Sequence, residues 1–259
     1  MLAGLALAFS SAGAFGQTFT DYTPLLGGTS NDYQWSNFVR PSGVSTGTAG
    51  TAGQWSQGIA PNNNSTSATF SAPVASDTTD FLDSNGGIYS FFSQTHFSVT
   101  DTAPVAGIQS VTFQLALDAG LTGTFGGTPV DLAVAPTLQL NLQGGGTQTL
   151  PATFSLLAGS ISTVIPAFGN QPTTQDLLDY QWDLSGVSGT ILSYSINWQT
   201  AFHSITQGMD LTESTSTHTN DILVAAVPEP STYALMAFGI GAVWFYGRRK
   251  TSSSKTVQS

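Results

Sequence analysis

No cysteine occurs anywhere in the 259-residue chain. That absence removes disulfide staples, thiolate nucleophiles and thiolate zinc sites together, so the fold must be held by its own apolar core. Charge is scarce as well. Asp, Glu, Lys and Arg make up 8% of the residues, against roughly 25% in an average soluble domain. Positive charge is scarcer still: between Gln17 and Val227 the single cation is Arg40, set against fourteen acidic side chains, a formal −13. Such a body repels phosphate backbones, because nucleic-acid affinity rests on Lys and Arg neutralising them, and nucleic acid is not an expected partner. Histidine is limited to His96, His203 and His218. No Gly-x-Ser-x-Gly elbow, His-Glu-x-x-His helix or phosphate-binding loop appears. His203 is the histidine to weigh as catalytic, with a polar residue at a strand edge as the plainer reading. The expectation is a protein without catalytic residues and without a cofactor.

What the chain does have is alternation. Val111, Phe113, Leu115 and Leu117 alternate with Thr112, Gln114, Ala116 and Asp118. Leu138, Leu140 and Leu142 alternate with Gln139, Asn141 and Gln143, and Gly144-Gly145-Gly146 offers a reversal into 147–157. Leu192, Tyr194, Ile196 and Trp198 alternate with Ser193, Ser195, Asn197 and Gln199. A period of two with one apolar face describes strands of antiparallel sheet, buried on one side and wet on the other. Further strands are expected at 68–72, 88–99, 181–184, 204–212 and 222–226. The one helical hint in the body is 173–180, where Thr173 or Thr174 could cap Gln175-Asp176-Leu177-Leu178-Asp179. Short strands separated by Gly, Pro and Asn predict an all-β, antiparallel two-sheet sandwich of jelly-roll type over 17–225. Within it, 41–67 is rich in Gly, Ser, Thr and Asn and reads as a long irregular loop. Asp32-Tyr33-Gln34-Trp35 recurs as Asp179-Tyr180-Gln181-Trp182, but the flanks diverge and no internal repeat is read from it.

Two places in this body have residue types suited to ligands. Asp77, Asp80 and Asp83, beside Asn85 and a Gly-Gly turn, are oxygen ligands of the kind calcium takes, although their spacing matches no EF-hand or nonapeptide loop and no metal is expected. Trp55, in a Gly/Ser/Gln stretch, and Trp35 are the candidates for stacking on a sugar face, with packing in the core as the other reading of each.

The two ends differ from the body. Leu2–Phe9 is apolar, and Ala12-Gly13-Ala14 and Ala14-Phe15-Gly16 place small residues where signal peptidase reads them. A signal peptide lacking its basic first region is expected over 1–16. At the other end, 231–247 holds seventeen uncharged residues, about 25 Å as a helix, slightly under the ~30 Å hydrocarbon core. Arg248, Arg249 and Lys250 follow directly, which marks that side as cytoplasmic and the body as external. Pro228 and Pro230 separate the run from whatever precedes it. A single transmembrane helix is therefore expected at 231–247.

Val227-Pro228-Glu229-Pro230-Ser231-Thr232, a short hydrophobic helix and then Arg248-Arg249-Lys250 together resemble the PEP-CTERM sorting signal of Gram-negative, exopolysaccharide-producing bacteria, over about 226–250. The tail 251–259 runs longer than is usual after that basic cluster. The resemblance implies an exosortase at the inner membrane as partner, recognition and cutting near Pro228, Glu229 and Pro230, and onward passage of the body to the cell surface or extracellular matrix. The function expected is that of an exported, non-enzymatic surface or matrix protein. A carbohydrate-binding module that retains exopolysaccharide is the alternative, and a secreted hydrolase the third.

Overall fold

A computed structural model describes Phe19, 26–36, Phe38, 59–62, 67–72, 80–82, 87–90, 94–118, 132–165 and 171–218. The expected signal segment 1–16, most of the loop 41–67, the strand 222–226 and the hydrophobic helix 231–247 lie outside these residues. The chain divides into two compact units, Met1–Val224 and Ala225–Ser259. Among the described residues no helix is long and apolar enough to cross a membrane.

The first unit contains twelve strands among the described residues: β1 Ser30–Ser36, β2 Ala68–Ser71, β3 Asp80–Leu82, β4 Ile88–Ser90, β5 Thr95–Asp101, β6 Ser110–Asp118, β7 Leu132–Leu142, β8 Thr147–Pro151, β9 Phe154–Ile165, β10 Gln171–Asp183, β11 Ile191–Thr200 and β12 Ile205–Ser214. They form two sheets. The larger runs β3-β4-β12-β6-β10-β9, with β1 also paired to β12, and the smaller runs β2-β5-β11-β7-β8. Every pairing is antiparallel. The expected all-β class and its two antiparallel sheets are present.

One apolar cluster joins the sheets. Trp35, Phe113, Leu115, Trp182 and Leu211 come from the larger, and Phe70, Val99, Leu140, Tyr194 and Trp198 from the smaller. Phe113 and Trp198 meet across the layers with ring centroids 5.2 Å apart. Each large apolar side chain buried in this way contributes about 1.5–3 kcal/mol, which is how a fold without disulfides is held.

Three local expectations change. Residues 173–180 are not helical; they lie in β10, hydrogen-bonded to β6 on one side and β9 on the other. The deciding pattern is period two: Leu178, Tyr180, Trp182 and Leu184 pack on the core, while Leu177 faces the opposite way, against Phe19 and Ala116. Both 88–99 and 147–157 are each two strands, because the chain changes sheet within them. The Gly144–Gly146 reversal is present between β7 and β8, with Gly144 and Gly145 at φ 98 and 88, values that favour glycine. The outer face of β6 is not wet: all nine of its residues are buried, including Thr112, Gln114 and Asp118.

Candidate functional site

One group of hydrogen-bonded polar side chains lies between the two sheets. In β12, Met209 and Leu211 point into the core, and the next inward position is Glu213, fully buried. Its Oε1 accepts hydrogen bonds from Asn31 Nδ2 at 2.8 Å, the Val105 backbone N–H at 2.8 Å and the Tyr33 hydroxyl at 3.3 Å. Its Oε2 accepts from the Tyr194 hydroxyl at 3.1 Å. Tyr33 also lies 2.9 Å from Ser67 Oγ. Asn31 and Tyr33 belong to β1 of the larger sheet, whereas Tyr194 is in β11 and Ser67 precedes β2 of the smaller one. The group is a polar clasp between layers.

A second carboxyl, Asp101, is fully buried opposite Tyr194 in the β5–β11 ladder. Its Oδ1 accepts from the Ala103 N–H at 2.8 Å, and its Oδ2 has no hydrogen-bond partner among the described residues. Burial, and then the nearby Asp101 charge, push the Glu213 carboxyl above the ordinary carboxylate range. Tyr33 and Tyr194 are held protonated, chiefly by burial and further by Glu213 and Asp101. Because the Glu213 pKa is raised on folding, its contribution to stability is fully present below the pKa of an unfolded-chain glutamate. It is lost as pH climbs through the raised value. We therefore expect urea midpoints to fall as pH rises across that interval. Asp101→Asn should flatten the fall by removing the neighbouring negative charge, and an equally steep profile in that variant would refute the coupling.

The outer face of the larger sheet holds the second polar group. Cross-strand rows run Asp32–Thr212–Thr112–Gln181 and Gln34–Asp210–Gln114–Asp179. Asp118 is gripped by two carboxamides, from Gln175 Nε2 at 3.0 Å and Gln207 Nε2 at 2.7 Å. The Thr212 hydroxyl lies 3.1 Å from Asp32 Oδ1 and 3.3 Å from Asp210 Oδ1. Buried carboxylates need partners, and with Arg40 the only cation of the body, amides and hydroxyls take the place of basic residues. Phe19 lies on this face with Ala116 and Leu177. It also closes over Gly208, where a Cβ would come within 2.8 Å of the Trp35 carbonyl and 3.1 Å of the Phe19 ring.

His203 sits in the turn between β11 and β12 with φ 65. The turn is pinned to β4 by hydrogen bonds from His203 N–H to the Ser90 carbonyl and from Ser90 N–H to the Ser204 carbonyl. Nδ1 of His203 is 2.6 Å from the Tyr89 hydroxyl. Burial lowers the His203 pKa and raises that of Tyr89 to about 12, so at neutral pH a neutral ring and a neutral phenol share this hydrogen bond, with the donor set by the ring's tautomer. His218 places Nε2 2.7 Å from the Leu26 carbonyl. This tie, with Thr215 N–H to the Thr29 carbonyl, holds the end of the sandwich beside its beginning.

The other residues singled out in the sequence fall as follows. Trp35 is not a sugar platform: it is 0% exposed, and its indole N–H donates to the Ile59 carbonyl at 2.9 Å. The reason is its parity in β1, which sends Tyr33 and Trp35 to the core and Asp32 and Gln34 outward. Ile59, from within 41–67, bridges to Phe70 and packs on the same core. Trp55, Asp77 and Asp83 lie outside the described residues; Asp80 begins β3. Pro228, Glu229, Pro230, Arg248, Arg249 and Lys250 also lie outside them. Sequence reasoning passed over the clasp, although a signal was present: Glu213 is the only glutamate before the Pro-Glu-Pro motif, and it occupies an inward position of an apolar alternation.

Residues 226–250 match the PEP-CTERM protein-sorting motif. No curated protein and no solved structure matches the chain. The matched segment begins after the last described strand, which ends at Ser214, and falls within the unit Ala225–Ser259. A motif of this kind marks a chain for export and for exosortase processing.

Proposed function

We propose that this protein is exported as a β-sandwich, held at the inner membrane by the 231–247 helix, cut by an exosortase near Pro228, and left at the cell surface or in the extracellular matrix as a non-enzymatic component. The observation that carries the reading is the sorting motif at 226–250. Its position supports processing: a cut near Pro228 leaves all twelve described strands on the released side, since β12 ends at Ser214. The chemistry of the body supports a structural role. Glu213 and Asp118 spend their oxygens on hydrogen bonds from neighbouring strands and, for Glu213, from the β5–β6 connection, and His203 is engaged with Tyr89.

The intact mass of the exported product tests this. We expect a species that lacks 231–259 and begins near Gln17. A surface-exposed product that still carries Phe245 to Lys250 would sink the reading.

A further inference from the structure

The strands at the sheet edges are unequal. β2 has four residues and β3 three, beginning with Asp80; β8 has five and ends in Pro151; β1 carries Asp32, and its Gln34 carbonyl is taken by the Asn62 N–H. Short length, charge and proline are among the devices that keep sheet edges from pairing with other chains, and a bulge is another. β9 has none of the first three. It is twelve residues long, FSLLAGSISTVI, without a charge or a proline. Among the described residues its one strand partner is β10, so its second row of backbone N–H and C=O groups faces away from the sheet. Ser155, Ser160 and Ser162 are exposed, and so is Leu157, at 55%. The one irregularity is a bulge at Ala158, where the register with β10 shifts; it divides the edge into Phe154–Leu157 and Gly159–Ile165.

We propose that β9 is an assembly edge, and that its occupant is the β9 strand of a second copy of this chain, paired antiparallel about a two-fold axis. A strand edge meeting itself antiparallel is self-complementary in its hydrogen bonds, and a two-fold interface puts the same patch on both partners. Charge selects the place. The bodies carry −13 each and repel when brought together, whereas β9 against β9 sets no like charges opposite one another. The pairing also covers Leu157. It joins two seven-stranded sheets into one, and it does not require the tail to be removed, so it stands apart from the processing proposed above.

The absence of cysteine makes the test direct. Single cysteines are introduced into the full-length, natively exported chain at Ser155, Leu157, Ser160 or Ser162, with Thr149→Cys on β8 as control, followed by mild oxidation and non-reducing electrophoresis. A disulfide needs Cα atoms roughly 4.4–6.8 Å apart. Only positions near the two-fold axis meet that condition, so the dimer should be strong at one or two β9 positions and fade along the strand. Thr149→Cys should remain monomeric. Adding a lysine at the exposed neighbour of the best-linking position, Leu157 for Ser155 or Ser162 for Ser160 and the reverse, sets two positive charges beside the axis and should remove the dimer while leaving thermal unfolding unchanged. No dimer from any β9 position, equal dimer from Thr149, cross-linking to a different polypeptide, or a dimer that survives the added lysine would each overturn the proposal. The mass of the linked species reports separately whether 231–259 has been lost.

Discussion

With Pro228, Glu229 and Pro230 replaced together by alanine, the chain is expected to stay uncut. It should remain in the membrane fraction with 231–259 attached, and the released form should vanish. Each proline fixes its own φ, lacks an N–H and pushes the residue before it to extended backbone. Two prolines around a single residue therefore oppose the growth of a helix across that point. Alanine, the best helix former, removes that barrier. The substitutions lie beyond Ser214, the last residue of β12, so the unfolding midpoint of the sandwich is the internal control. Fractionation with intact mass measurement reads the outcome. Release of the same product from the triple variant would remove exosortase processing from the account.

Trp35→Ala is expected to cost about 3–5 kcal/mol, as large aromatic truncations in a core do, out of the 5–15 kcal/mol that holds a typical domain. Three losses combine in it. The indole leaves a cavity in the cluster it shares with Tyr33, Phe38 and Phe70. The Ile59 carbonyl loses one of its two donors and keeps the Phe70 N–H. The bridge from Ile59 to Phe70 loses the tie that the indole N–H gives its Ile59 end. Urea unfolding measures the cost, and Trp35→Phe should recover part of it by refilling most of the volume. Full stability in Trp35→Ala, with lost binding to an insoluble polysaccharide, would restore the exposed, sugar-stacking assignment that the structure replaces.

Trp35 and Trp182 also explain the recurrence of Asp-Tyr-Gln-Trp. Both tetrapeptides lie in strands of the larger sheet, with β12 and β6 between them, in rows that set Asp32 level with Gln181 and Gln34 level with Asp179. Both tryptophans are fully buried and both donate their N–H to a backbone carbonyl, Ile59 for Trp35 and Leu150 for Trp182. The likeness reflects one requirement met twice: tyrosine and tryptophan inward, acid and amide outward. Diverging flanks hid this, because the requirement is set by the register of four strands and by nothing adjacent in the chain.

What could be read from residues alone was whatever depends on near neighbours. Alternation along β6, β7 and β11 gives the antiparallel class, because side chains on a strand change face at every residue. The triple glycine 144–146 marks a hairpin, because glycine reaches positive φ without steric cost, as Gly144 and Gly145 do. The charge-free run behind two prolines and before three cations marks a sorting signal, because bilayer thickness and charge placement act on a contiguous segment. Tertiary structure alone decided the burial of Thr112, Gln114 and Asp118, the sheet changes inside 88–99 and 147–157, the loss of the 173–180 helix to β10, and the clasp on Glu213. Those outcomes rest on partners far apart in the chain, such as Tyr33 and Glu213 at a separation of 180 residues. A local pattern states that a side chain will be inward or outward; only the assembled layers determine what it meets there.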